Sequence, residues 1–170
     1  HNIIGYVPQK GILFSGDIES NLKFGNENAS EKDLKLAADI SQAAEFINSN
    51  KDSFKRKISQ NGSNVSGGQL QRLSIARTIL KNAPIYIFDD SFSALDLKTD
   101  AALRKALYKH TKNSTILVVA QRISTIMNAE QIVVLDDGKI VGIGTHQELL
   151  KNCETYREIA LSQLPKEKIL

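Results

Sequence analysis

The stretch Asn64-Val65-Ser66-Gly67-Gly68-Gln69 is followed, one helix length later, by Ile85-Tyr86-Ile87-Phe88-Asp89-Asp90. A glycine-rich helix start thus precedes an apolar strand tipped with carboxylates. Ser66, Gly67 and Gly68 leave room for an anion to approach the backbone. The helix they open aims unpaired N–H groups and the positive end of its dipole outward. At Asp89 a buried run surfaces with a carboxylate able to hold Mg²⁺. The combination points to nucleotide phosphate, which a lone Gly-Gly would not.

Downstream of Gln69, residues Leu70, Leu73, Ala76, Ile79 and Leu80 place a broad apolar face on one helix, which stops at Asn82 and Pro84. From Ile85 the pattern becomes short buried strands separated by helix: 85–89, a polar helix over 97–108, then a strand over 115–120. This alternation predicts an α/β fold. Residues 132–135 and 139–143 flank Asp137-Gly138, a strong hairpin signal. Thr145-His146-Gln147-Glu148 is a capping box that starts helices running toward Leu164.

Upstream, residues 3–7 form a short β-rich run closed by Pro8, and Gln9-Lys10-Gly11 reads as the loop leaving it. Ser30-Glu31-Lys32-Asp33 fits a helix start. Leu34, Ala37, Ala38, Ala44 and Ile47 supply an apolar stripe beyond it, so residues 12–82 are expected to be mostly helical.

Composition sets the bounds. With 170 residues, 41% hydrophobic and 24% charged, the chain can bury one core. A net charge of +3 spread along the chain implies no nucleic-acid partner. Cys153 is the single cysteine, so an intrachain disulfide is excluded and a reducing, cytosolic face is expected. His1, His110 and His146 show no metal-ligand spacing, and no structural zinc is expected. The apolar runs 116–120 and 132–135 fall far short of the ~20 residues that span a bilayer. No G-x-x-x-x-G-K-[ST] phosphate cradle occurs, and Asn2, Gln9 and Lys10 interrupt any signal-peptide core.

Five motifs stand in one order: Gln9, the 64–69 stretch, the 85–90 strand, Ser93-Ala94-Leu95-Asp96, and Val118-Val119-Ala120-Gln121-Arg122. In that order they resemble the ATP-binding-cassette (ABC) ATPase family. They correspond to its Q-loop, LSGGQ-like signature, Walker B strand, D-loop and switch region. Val65 stands where the family usually has Leu, a mild apolar change. The resemblance implies a P-loop NTPase fold lacking its N-terminal Walker A part, with a RecA-like core and a helical subdomain. The division expected is 1–11 for the end of a core strand and the Q-loop, 12–83 for the helical subdomain, and 84–170 for the rest of the core. It implies ATP and Mg²⁺ as ligands. Gln9, Ser66, Gly67, Gly68, Gln69 and Asp96 are the ATP-binding positions, Gln9 and Asp89 the Mg²⁺ positions, and Asp90 and Gln121 the catalytic ones. Taken singly, Gln9 is equally an ordinary loop residue and Asp96 an N-cap.

In this family the signature of one chain closes on the γ-phosphate held by the Walker A loop of another, so Ser66, Gly68 and Gln69 are expected to act in trans. Two positions depart from the family pattern. Asp90 stands where a Glu general base is expected; its carboxylate falls roughly 1 Å or more short of a water that must lie within about 2.6–3.2 Å. A displacement of that size costs on the order of 10²-fold in rate. Gln121 stands where the switch histidine is expected, and an amide donates a hydrogen bond yet gains no charge near neutral pH. Together they resemble the degenerate subunit of heterodimeric exporters, whose signature completes the partner's competent site.

Leu13-Phe14-Ser15-Gly16-Asp17-Ile18-Glu19-Ser20-Asn21-Leu22 resembles the exporter form of the segment after the Q-loop. By that resemblance a membrane-spanning domain precedes this part, Gln9 reports closure to it, and the chain works at the cytoplasmic face of the membrane. The stretch alone is expected to bind ATP weakly or not at all. The rival readings are a homodimeric exporter with Asp90 as a slow base, a soluble ABC ATPase acting outside transport, and an interaction module without turnover. His146 is read as helix-start packing, and Asp136 and Asp137 as turn residues.

Overall fold

The computed structural model describes residues 3–165 and divides into two units, the first ending at Val119 and the second beginning at Ala120. In the first unit, β1 (Ile4–Val7), β4 (Ile85–Asp89) and β5 (Thr115–Val119) form a parallel sheet in the order β1-β4-β5. Tyr6 pairs with Ile87, and Ile87 with Leu117. Between β1 and β4 lie β2 (Gly16–Asp17), α1 (Ile18–Lys23), α2 (Glu31–Ile40), α3 (Ala44–Asn48), β3 (Lys57–Ile58) and α4 (Gly67–Leu80). After β4, α5 (Leu97–His110) leads into β5. All three core strands run the same way, so their carboxyl ends share one edge, the usual place for a ligand in such sheets.

Side-chain alternation decides which sheet face is covered. Tyr86 and Phe88 are buried on β4, with Val7 on β1 alongside, whereas Tyr6, Leu117 and Val119 are exposed. The central helix α4 packs against α1, α2 and β1. It therefore buries Leu73, Ile75, Ala76 and Ile79 together with Gln71, Ser74 and Thr78. The single apolar face expected of α4 is corrected to burial nearly all round, because helices and sheet enclose it. Thr78 is accommodated by its Oγ1 donating to the Ser74 carbonyl at 3.0 Å. At Asn82, φ of 48° ends the helix in the left-handed region, ahead of Pro84.

Two helix starts behave as their sequences predict. Ser30 and Asp33 form a reciprocal capping box at α2, and Asp96 caps α5. Residues 12–82 are mostly helical, as expected, with additions that the sequence pattern does not show. Strands β2 and β3 pair antiparallel, Gly16 with Ile58 and Asp17 with Lys57, and two 3₁₀ turns cover 53–55 and 60–62. Two-residue strands carry no readable periodicity, and their pairing joins segments far apart in the chain. Asp17 doubles as the N-cap of α1, its Oδ1 accepting from Ser20 N at 2.8 Å.

In the second unit, α6 (Ile123–Ile126) precedes β6 (Ile132–Asp136) and β7 (Lys139–Gly144), then α7 (His146–Asn152) and α8 (Glu154–Gln163). Asp137 and Gly138 both take positive φ, 45° and 73°, as a two-residue type I′ hairpin requires. Thr145 and Glu148 form the capping box of α7. The buried core comprises Ile123, Ile132, Val134, Leu149, Leu150, Cys153, Tyr156 and Ala160. His146 belongs to that core, its Nδ1 lying 2.7 Å from the Tyr156 hydroxyl, as the packing reading expects. Among the described residues no helix is long and apolar enough to cross a membrane.

Candidate nucleotide site

Ser66 sits in an extended conformation before α4 and its Oγ accepts from Gln69 N at 3.2 Å, while Gln69 Oε1 accepts from Ser66 N at 3.1 Å. This reciprocal box fixes the helix start and occupies the Ser66 and Gln69 amides; Leu70 N donates to the Ser66 carbonyl at 2.8 Å. The amides of Gly67 and Gly68 are left over. Among the described residues no acceptor meets them. Ser66 and Gly67 are exposed, so this donor pair and the dipole end of a 14-residue helix face outward.

Neither glycine is required by the fold. Positive φ among the glycines is confined to Gly16, Gly62 and Gly138. A methyl group placed on Gly67 would meet nothing within 4 Å, and one on Gly68 would lie 3.4 Å from the Ala94 carbonyl, an ordinary contact. Gly68 therefore stands beside the 93–96 loop of its own chain. The helix start is anchored by Arg72, whose Nε donates to the Gly68 carbonyl at 3.2 Å and whose terminal nitrogen donates to the Gln42 carbonyl at 2.9 Å. Its guanidinium lies 5.0 Å from the Phe46 ring centroid.

At the carboxyl edge of the sheet, Gln9 Nε2 donates to Asp90 Oδ2 at 3.4 Å and the Tyr6 hydroxyl donates to Asp89 Oδ2 at 3.0 Å. The carboxylate beside it raises the Tyr6 hydroxyl above the ordinary tyrosine range. Asp90 adopts φ of 43°, a left-handed conformation that Asp and Asn enter more readily than longer side chains. Its amide donates to the Val119 carbonyl at 2.9 Å and its carbonyl accepts from Ser93 Oγ at 2.9 Å. Buried Ser91 ties β4 to β1 by donating to the Val7 carbonyl at 3.0 Å. Asp96 Oδ1 accepts from the Lys98 and Thr99 amides and Oδ2 from Thr99 Oγ1. These hydrogen bonds, those from Thr99 foremost, hold the carboxyl below its usual value.

The structure thus brings together Gln9 with Asp90, and the signature turn with the 93–96 loop. Among the described residues no hydrogen bond joins Ser66 or Gln69 to Gln9, Asp89 or Asp90. Gln121 lies in the second unit. It is exposed, and its carbonyl accepts from Gln163 Nε2 at 2.9 Å. Sequence reasoning missed Tyr6 and Gln163. Tyr6 is exposed on β1 and meets Asp89 only through strand pairing across 83 positions, which no local pattern encodes. Gln163 is one polar residue among several on α8 and carries no motif.

The donor set fits Mg²⁺ held jointly with phosphates. Among the described residues no group of three or more His, Cys, Asp or Glu is placed to cage a metal. Asp89, Asp90 and the Gln9 amide instead offer a few oxygen ligands at one edge, the pattern of a cation that keeps waters and phosphate oxygens. The two unmatched glycine amides likewise fit an anion brought from outside the subunit.

A family model described as "ABC transporter" matches residues 1–93. The chain belongs to the ABC transporter family. An uncharacterized ABC transporter ATP-binding protein of Mycobacterium bovis is 45% identical over 94% of this chain and 28% of its own length. A Bacillus subtilis protein of the same description, YfiB, is 44% identical over 96% of this chain and 28% of its own length. Among solved structures, a bacterial Atm1-family ABC exporter with ATP bound superposes with a TM-score of 0.93 at 33% identity. That alignment covers 97% of this chain and 29% of the exporter chain. The α/β fold is therefore that of part of an ABC ATP-binding domain, and the chain spans 28% of the length of the ABC relatives quoted.

Proposed function

We propose that this chain is the nucleotide-binding part of an ATP-driven exporter whose signature serves a site on a second, partner nucleotide-binding domain. One observation carries the reading: Gly67 has ordinary backbone geometry and open space around its missing side chain, yet stands at an exposed helix start with two unmatched amides. A glycine with no use inside its own subunit is explained by close approach of a phosphate from outside. Ser66, Gly67, Gly68 and Gln69 would bind and orient that phosphate. Asp96 shapes the loop beside Gly68. Bound ATP and Mg²⁺ would supply the phosphoryl group and its charge neutralisation.

At the chain's own site Gln9 and Asp89 would hold Mg²⁺, while Asp90 and Gln121 make that site slow. Asp90 fits this part, because its short side chain is engaged by Gln9 and its left-handed backbone disfavours a longer carboxylate. A transmembrane domain of the same transporter, work at the cytoplasmic membrane face, and the division 1–11, 12–83 and 84–170 belong to the same proposal. In the assembled transporter, Ser66→Arg is expected to abolish ATPase activity and Asp90→Asn to change it less than about twofold, since asparagine keeps the backbone conformation. The opposite ranking overturns the proposal.

A further inference from the structure

In the second unit Ile123 is the first residue of α6, so its amide has no acceptor inside the helix. Arg122, the residue before it, provides no side-chain cap. The acceptor comes instead from far along the chain: Ile123 N donates to Gln163 Oε1 at 2.9 Å. The same side chain's Nε2 donates to the Gln121 carbonyl, also at 2.9 Å. Arg122 is extended, with φ of −92° and ψ of 120°, which turns the Gln121 carbonyl and the Ile123 amide to the same side. One planar amide thus satisfies both, as a neighbouring strand would. The match is specific to a primary amide, since a carboxylate lacks the donor and a hydrocarbon lacks both groups.

Helix α8 is a firm support for this bridge. Tyr156 and Ala160 are buried in the same core as Ile123, and Leu164 N donates to the Ala160 carbonyl at 2.8 Å, closing the last turn beside Gln163. Helix α6 has four residues, too few to hold its own start.

We propose that Gln163 is a positioning residue that fixes the backbone from Gln121 to Ile123 and so sets how the Gln121 side chain is presented to nucleotide. This rests on the reading of Gln121 as the switch position. The test uses the full-length protein and follows hydrogen exchange at the Ile123 amide together with retention of labelled ATP. Gln163→Leu should speed Ile123 exchange about fivefold, the loss of one hydrogen bond, and shorten ATP retention by a similar factor. Gln163→Glu should keep Ile123 protected, since its carboxylate still accepts from that amide, yet shorten ATP retention at pH 7, where the carboxylate has no donor for the Gln121 carbonyl. It should regain ATP retention relative to wild type below about pH 4.5, where the protonated acid both donates and accepts. A merely space-filling role would show no such pH profile.

Unchanged exchange in Gln163→Leu overturns the bridge, whatever the nucleotide does. Faster exchange with unaltered ATP retention overturns the positioning role. A wild-type protein that retains no ATP overturns the functional reading and its link to Gln163, while the exchange result still decides the bridge.

Discussion

The Tyr6 hydroxyl donates to Asp89 Oδ2 at 3.0 Å, joining the exposed faces of two parallel strands at the edge where the proposed Mg²⁺ ligands gather. This bond favours the protonated phenol, so the Tyr6 hydroxyl titrates above an ordinary tyrosine. A raised value means that the contribution is whole below the unfolded tyrosine's titration and fades as pH climbs through the folded one. Burial raises Tyr86 and Tyr156 as well, so absorbance of tyrosinate near 295 nm should show one fewer late-titrating group in Tyr6→Phe than in wild type. An early-titrating Tyr6 would contradict the bond.

Gly67 separates stability from activity. A methyl group there meets nothing within 4 Å. Gly67→Ala should leave unfolding unchanged or stabilise it by about 0.4–1 kcal/mol through the unfolded chain. The same change should lower ATPase activity of the assembled transporter by on the order of 10²-fold, since it displaces the incoming phosphate. Urea unfolding and turnover measured on one preparation check both halves.

Gly25 is fixed by contact rather than by chemistry, because an added Cβ would collide with the backbone carbonyl of Arg77 on α4. Gly25→Ala should cost about 1–3 kcal/mol by overpacking. Leu73→Ala, at a fully buried position on the same helix, should cost about 2–5 kcal/mol by leaving a cavity. Denaturant midpoints with an unchanged slope would register both.

Acid should loosen the β2–α1 corner. Asp17 is held below its usual range by its hydrogen bond from the Ser20 amide, and Glu19 by those from Lys23 and then Lys55. A depressed carboxyl contributes stability that is present above its unfolded value, about 3.9–4.3, and lost as pH falls through the folded value. Asp17→Asn should flatten the acid limb of a stability–pH curve while leaving the limb above pH 6 parallel to wild type.

Much of this architecture is legible in local sequence. The capping boxes at Ser30 and Thr145, the Asp137-Gly138 turn and the strand ending at Asp89 are each written within a few consecutive residues. What escapes is set by distant partners. The β2–β3 pairing, the all-round burial of α4 and the Tyr6–Asp89 bond all need a second segment whose register no short window contains. The site divides the same way. Ser66 to Gln69 are visible as a helix start, but the idle methyl space at Gly67 is visible only once the surroundings are built.

Gly11 shows what close packing does to motion. A side chain there would strike Leu70 and Ser74, so the loop that carries Gln9 lies flush on the shaft of α4 with no play between them. Parts seated without clearance turn as one, like a key and its bit. The Gln9 loop thus bears directly on the helix whose first turn opens at Ser66.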